Sequence, residues 1–235
     1  MDVRHLVCLL VSLLKIERSV LASCAYHGSK GLTNVPHPMS STLVDLRIDH
    51  NMLTQISQMD FNDIYPELMY IDISNNDISF VESGCFKGTQ LRYITLGFNQ
   101  LTSFPDFHEV SNTLKEVDVS SNKITKIFQE EINYLTKLEY FFLNSNPIIS
   151  LPDLPMNLPA IKSLQLEGIS FHCCCDVAWL RKPINIQTDP RPCISPTKWT
   201  NTIMYDIPEE MMLNEPCVGS GGYRTCVVCI TQRHW

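Results

Sequence analysis

The stretch Leu91-Arg92-Tyr93-Ile94-Thr95-Leu96-Gly97-Phe98-Asn99-Gln100-Leu101-Thr102-Ser103-Phe104 decides the fold. Ile94 and Leu96 alternate with Tyr93, Thr95 and Gly97, which is the pattern of a short strand with one face turned inward. Three residues later a lone Asn99 stands among apolar neighbours, and Leu101 and Phe104 resume the apolar spacing. Working outward, the same letters return. Leu43, Leu46, Ile48, Asn51, Leu53 and Ile56 form a first copy, and Leu68, Ile71, Ile73, Asn76, Ile78 and Val81 a second. After the quoted stretch come Leu114, Val117, Val119, Asn122, Ile124 and Ile127, then Leu138, Phe141, Leu143, Asn146, Ile148 and Leu151. A sixth copy opens with Ile161, Leu164 and Leu166 but has Ile169 in place of the Asn. Successive copies start 25, 23, 23, 24 and 23 residues apart.

A repeat of this length is one strand plus a return, stacked on its neighbours so that the strands form a parallel ladder. Where the chain turns out of each strand, backbone donors and acceptors are stranded inside. An Asn amide both donates and accepts, so Asn51, Asn76, Asn99, Asn122 and Asn146 are expected to satisfy them as a buried ladder. The return half of each repeat offers one more apolar anchor, with Phe61, Phe86, Val110, Ile132 and Leu158 as candidates. Pro105, Pro152, Pro155 and Pro159 in these halves predict extended or irregular returns instead of regular helices.

This LxxLxLxxNxL pattern resembles the extracellular leucine-rich-repeat family over roughly Gly31 to Cys217. The resemblance implies an α/β solenoid: a horseshoe with a parallel concave β-sheet, an irregular convex side and a disulfide-bonded C-terminal cap. The run Phe171-His-Cys173-Cys-Cys175-Asp-Val177-Ala-Trp179-Leu180, with Cys193 and Cys217 downstream, is similar to the family's cysteine-rich cap. The family pairing, carried over, implies Cys173–Cys193 and Cys175–Cys217, with Val177, Trp179 and Leu180 on a short helix sealing the last repeat. Gly31-Leu32-Thr33-Asn34-Val35-Pro36 resembles the end of the N-terminal cap, which normally carries four cysteines; here Cys24 alone precedes the repeats. Either this end is sealed without disulfides or Cys24 pairs elsewhere.

The resulting organisation is a signal peptide at 1–22, a partial N-terminal cap at 23–42, repeats at 43–168, a cysteine-rich cap at 169–217 and a tail at 218–235. The signal reading rests on Arg4 and His5 before the nine-residue run Leu6–Leu14, and on Val20 and Ala22 ahead of the cleavage point. The charged Lys15, Glu17 and Arg18 are unusual there. The apolar run is too short to span a bilayer, so no membrane span is expected. Removing residues 1–22 takes three of 18 bases and two of 25 acids, leaving a net charge of −8. That charge argues against nucleic acid or an anionic membrane as partner. Nine of ten cysteines remain, and an exported chain keeps such cysteines oxidised. The family pairing leaves Cys24, Cys85, Cys174, Cys226 and Cys229 unassigned; Cys85, beside Phe86, reads as a reduced core thiol.

Catalytic chemistry finds little footing. Cys226-Val-Val-Cys229 has redox spacing but no βαβ unit around it, so a structural or inter-chain disulfide ranks above redox work. A zinc site from Cys226, Cys229 and His234, completed by His172 or Cys174, ranks below the disulfide as well. Leu21-Ala22-Ser23-Cys24 fits a bacterial lipoprotein box, a coincidence given a cap of the animal extracellular type. Gly219-Ser-Gly-Gly222 neither follows an evident strand nor opens a helix, which disfavours nucleotide binding. No His sits in a triad or zinc-protease pattern, and no Asn-x-Ser/Thr acceptor exists. The chain reads as no enzyme, with no cofactor and no metal.

The resemblance makes the strands' open face the default ligand surface. Third positions of the motif are Asp45, Tyr70, Tyr93, Glu116, Tyr140 and Ser163, and fifth positions are Arg47, Asp72, Thr95, Asp118, Phe142 and Gln165. Tyr70, Asp72, Tyr93, Glu116, Asp118, Tyr140 and Phe142 therefore form an aromatic and acidic patch. Aromatics supply contact area at little entropic cost, and acids select a basic partner. The plainer alternative is that strand faces favour such rings anyway. The function expected is a secreted binder of an extracellular protein or peptide with a basic surface, of a recognition, adhesion or innate immune type. The alternatives are a structural matrix component or disulfide-linked oligomer, such as a disulfide-linked dimer, and behind it a redox or zinc protein using Cys226 and Cys229.

Overall fold

The structure, a computed structural model, describes residues 24–181, 186–187, 193–219 and 222–224. The expected signal peptide and the Cys226, Cys229 and His234 group lie outside the described residues. The chain divides into two compact units, Met1–Gln100 with Pro105–Asp118, and Leu101–Phe104 with Val119–Trp235.

In the first unit the strands are β1 (Cys24–Tyr26), β2 (Asp45–Arg47), β3 (Gln55–Ile56), β4 (Tyr70–Asp72), β5 (Phe80–Val81), β6 (Tyr93–Thr95) and β7 (Glu116–Asp118). β1, β2, β4, β6 and β7 pair in parallel in that order, and β3 pairs with β5. The register carries Leu46, Ile71, Ile94 and Val117 from strand to strand, all fully buried. Strand β1 extends the ladder one step before the first recognised repeat. Its sequence, Cys-Ala-Tyr, carries no Leu at the motif's positions, so periodicity does not mark it.

The Asn ladder fills the turns. Asn76 Oδ1 accepts from Leu53 N at 3.0 Å, and its Nδ2 donates to the carbonyls of Ile48 and Ile73 at 3.1 and 3.2 Å. Asn99 repeats this one turn on, accepting from Ile78 N and donating to Ile73 and Leu96. Asn51 accepts from the backbone of Lys30 and Leu32 and donates to His27 O, which ties the N-terminal segment to the first repeat. The residue just before each of these Asn is left-handed without being glycine: His50, Asn75 and Phe98 have φ of 54, 53 and 56°. The sharp exit from the strand requires it.

Behind the strands, Phe61, Phe86 and Val110 are buried, as the anchor positions require. Phe86 stacks on Phe61 at 5.8 Å and on Phe107 at 5.9 Å, so an aromatic spine runs from turn to turn. Cys85, which precedes Phe86 in the chain, is free and fully buried. Besides the short paired strands β3 and β5, the returns of this unit hold one-turn helices at Gln58–Phe61 and His108–Val110.

The second unit holds β8 (Tyr140–Phe142), β9 (Ser163–Gln165) and β10 (Ile186–Gln187), parallel in that order. Asn122 and Asn146 continue the same bonding: Leu101 N donates to the first and Ile124 N to the second, each at 3.0 Å. The return at Leu154–Asn157 is a one-turn helix despite Pro155, which the sequence places against helix. Pro155 sits in the first turn, where its missing N–H loses no intrahelical bond, and Asp153 caps the turn by accepting from Met156 N. In the sixth repeat Gly168 takes the left-handed position with φ of 79°, and Ile169 is buried where the Asn would stand.

The cap begins with a 3-10 helix, Cys175–Arg181, that buries Val177, Trp179 and Leu180. Trp179 Nε1 donates to the Leu151 carbonyl, which docks the helix on the fifth repeat. Cys173 is bonded to Cys193. The second expected bridge needs correction: Cys217 is bonded to Cys174, not to Cys175. Three consecutive cysteines make the family's spacing ambiguous by one residue. Cys174 has its Cα 5.2 Å from that of Cys217, within the range a disulfide spans. Cys175, with Sγ 3.9 Å from that of Cys217, is itself disulfide-bonded, and so is Cys24. Beyond the cap, β11 (Cys217–Gly219) pairs antiparallel with β12 (Gly222–Arg224). Gly219 therefore lies in a strand and Gly222 opens another. The boundary between cap and tail set at Cys217 cuts through β11.

Candidate functional site

Strand pleating turns every residue between the buried anchors toward the open face. In the first unit this brings together Tyr70, Asp72, Tyr93, Glu116 and Asp118, all half-buried. Tyr70 is level with Tyr93, and Tyr93 with Glu116; Asp72 is level with Thr95, and Thr95 with Asp118. The rings of Tyr70 and Tyr93 are 6.5 Å apart and inclined by 44°. Asp72 Oδ1 accepts from Ser74 N and Ser74 Oγ, which fixes the carboxylate and leaves Oδ2 without a hydrogen bond among the described residues. In the second unit Tyr140 and Phe142 stand on the corresponding face of β8, level with Ser163 and Gln165.

The face has a feature that the acidic and aromatic rows omit. Arg47 lies with its guanidinium carbon 4.9 Å from the Tyr70 ring and 5.6 Å from that of Tyr26, while Asp45 accepts from its Nε at 3.3 Å. The fifth-position row contains Arg47, so its place on the face was readable; its aromatic partner Tyr26 lies on β1, ahead of the repeats. Burial opposes the charge on Arg47, and the Asp45 hydrogen bond and charge outweigh it, so its pKa is raised. Burial, reinforced by the Asp72 charge, pushes the Tyr70 phenol up to about 12.

For metal binding, the described residues bring Cys174, Asp176 and Cys217 together. Their two thiols are consumed in one disulfide, so the group does not suit a metal.

The leucine rich repeat family model matches residues 41–101 and 112–168, half of the chain. The chain belongs to the leucine-rich-repeat family. Among its relatives, nephrocan of Mus musculus is 26% identical over 172 residues, spanning 71% of this chain and 33% of nephrocan. Lumican of Gallus gallus is 31% identical over 60% of this chain and 40% of its own length. Decorin of Bos taurus is 31% identical over 50% of this chain and 32% of its own. This leucine-rich-repeat chain thus matches well under half the length of each of these relatives. The crystal structure of human 5T4, trophoblast glycoprotein, superposes with a TM-score of 0.51 at 18% identity, covering 80% of this chain and 94% of that one. That likeness carries the fold alone: a leucine-rich-repeat solenoid of about six turns with disulfides near its C-terminal end.

Proposed function

We propose that this is a secreted, non-catalytic leucine-rich-repeat protein that binds an extracellular protein or peptide, one with a basic surface, through the open face of its strands. One observation carries the reading. Tyr70, Asp72, Tyr93, Glu116 and Asp118 are held in register on three adjacent strands whose alternate residues are buried in the repeat core. A rigid backbone thus presents aromatic area and negative charge with little left to order on binding. The extracellular relatives support the location, and no helix among the described residues is long and apolar enough to cross a membrane.

The test is capture of partners from extracellular medium on immobilised mature chain, beside a variant carrying Tyr93→Ser, Glu116→Gln and Asp118→Asn. A partner retained by the native chain, eluted by salt and lost on a variant of unchanged melting temperature supports the proposal. A partner that binds both chains equally places its site elsewhere.

A further inference from the structure

We infer that the C-terminal cap carries a disulfide relay: once Cys175 is released from its own bridge, it takes Cys217 from Cys174. The relay is independent of the strand face. It converts the bridge found in the structure into the one that the family spacing implies.

Cys174, Cys175 and Cys217 are buried together in one cluster. Cys217 is bonded to Cys174, while the Sγ of Cys175 stands 3.9 Å from that of Cys217. Thiol–disulfide exchange requires a thiolate within reach of one sulfur of an existing bridge. Cys175 is so placed toward the Cys174–Cys217 bridge. In the oxidised cap the relay is silent, because Cys175 is itself disulfide-bonded.

Backbone groups hold the reacting sulfurs together whichever one Cys217 is bonded to. Cys175 N donates to the Glu215 carbonyl at 3.1 Å, two residues ahead of Cys217. Asp176 N donates to the Cys217 Sγ itself at 3.4 Å. Val177 N donates to the Cys174 carbonyl at 3.2 Å, which turns the chain tightly at the cysteines. Opening the bond to Cys174 therefore leaves Cys217 held beside Cys175.

The relay has two steps. A dithiol reductant first opens the Cys175 bridge; the dithiol is oxidised to its own disulfide and gives one proton to each released sulfur. Cys175 then loses its proton to solvent on the side of the exposed Asp176, whose Oδ1 is 3.8 Å from the Cys175 Sγ. In the second step the Cys175 thiolate attacks the Cys217 Sγ. The Cys175–Cys217 bond forms, the Cys174–Cys217 bond breaks, and Cys174 leaves as a thiolate that takes up a proton. No electrons are gained or lost in this exchange. Reduction of one bridge thus yields a thiol at Cys174 while β11 stays tied to the cap.

The test treats the folded mature chain with limiting dithiothreitol at neutral pH, quenches with acid and labels free thiols with N-ethylmaleimide. The remaining bridges are then reduced and labelled with deuterated N-ethylmaleimide, and each cysteine is read by peptide fragmentation in the mass spectrometer. Circular dichroism confirms that the chain stays folded throughout. Several-fold more first label is expected on Cys174 than on Cys217, because exchange frees Cys174 and keeps Cys217 bonded. Equal first label on Cys174 and Cys217 would overturn the relay, since the reductant would then have opened that bridge directly. First label on Cys175 with none on Cys174 would overturn it too, as would a folded chain whose Cys174 stays unlabelled at every dithiothreitol ratio.

Discussion

Asn76 accepts a hydrogen bond from the backbone N–H of Leu53, one turn earlier, while its own amide group donates back to the carbonyl of Ile48 in that same turn. One side chain thereby closes donors and acceptors of two successive turns, and it is buried while doing so. Asn76→Leu leaves those backbone groups unpaired in an apolar interior and is expected to cost about 1–3 kcal/mol. Asn76→Asp is expected to be destabilising too, since a carboxylate cannot donate to Ile48. Thermal unfolding followed by circular dichroism reads both; an unchanged melting temperature for either variant would contradict the role assigned to the amide.

The left-handed residues before each Asn make a second prediction. Phe98, at φ 56°, is well exposed, so its side chain gains little burial for a backbone that L-residues adopt reluctantly. That conformation costs roughly 1–2 kcal/mol, and glycine's added freedom gives back part of any gain. Phe98→Gly is therefore expected to leave stability unchanged or raise it by up to about 1 kcal/mol. Gly168→Ala is expected to lower it, because the added Cβ would approach the Ser145 backbone to 3.3 Å at a φ of 79°. Chemical denaturation midpoints of the two variants should move in opposite directions or, for Phe98→Gly, not fall.

Cys85 gives a chemical readout of the core. It is fully buried next to Phe86 in the chain, and burial, with the charges of Asp60 and Glu82 adding to it, pushes its thiol up, away from the reactive thiolate. Iodoacetamide on the folded protein is expected to leave Cys85 unmodified, and on the guanidinium-unfolded protein to alkylate it fully. Peptide mass spectrometry distinguishes the two, and labelling of the native chain would show that the spine opens.

Tyr70 predicts a loss of stability in alkali. Its phenol is pushed up to about 12 from an ordinary 10, by burial first and the Asp72 charge second. The folded state thus favours the neutral ring. The stabilisation is complete below pH 10 and is lost as pH rises from 10 through about 12. Burial also raises the phenols of Tyr26 and Tyr65, so absorbance titration of tyrosinate should show a late-ionising component that loses one phenol in Tyr70→Phe; superposable titration curves would contradict the burial of Tyr70.

The repeats were legible because a buried lattice repeats its demands. Leu46, Ile71, Ile94 and Val117 must be apolar, and the Asn positions must bond in both directions, so each turn writes the same letters. Strand β1 was not legible, since Ala25 stands where the motif expects a large aliphatic side chain and only pairing with β2 reveals the strand. Phe107 was missed beside Val110 because the return halves vary in length and stacking has no fixed period. The bridge at Cys217 turned on one residue of register among three cysteines, and spacing cannot decide between adjacent positions. On the open face, sequence placed Tyr70, Asp72, Tyr93, Glu116 and Asp118 by alternation alone. It could not show that Arg47 lies between Tyr26 and Tyr70, since that depends on where long side chains settle across strands.

The claim that the strand face is the binding surface is tested most directly by carboxyl footprinting. The mature chain, alone and saturated with a captured partner, is labelled with carbodiimide and glycine ethyl ester, and each carboxylate is read by mass spectrometry. Asp72, Glu116 and Asp118 are expected to lose most of their labelling in the complex, while Glu82 and Asp106, on the segments between strands, keep theirs. Protection of Glu82 and Asp106 with Asp72, Glu116 and Asp118 labelled as before would contradict the account.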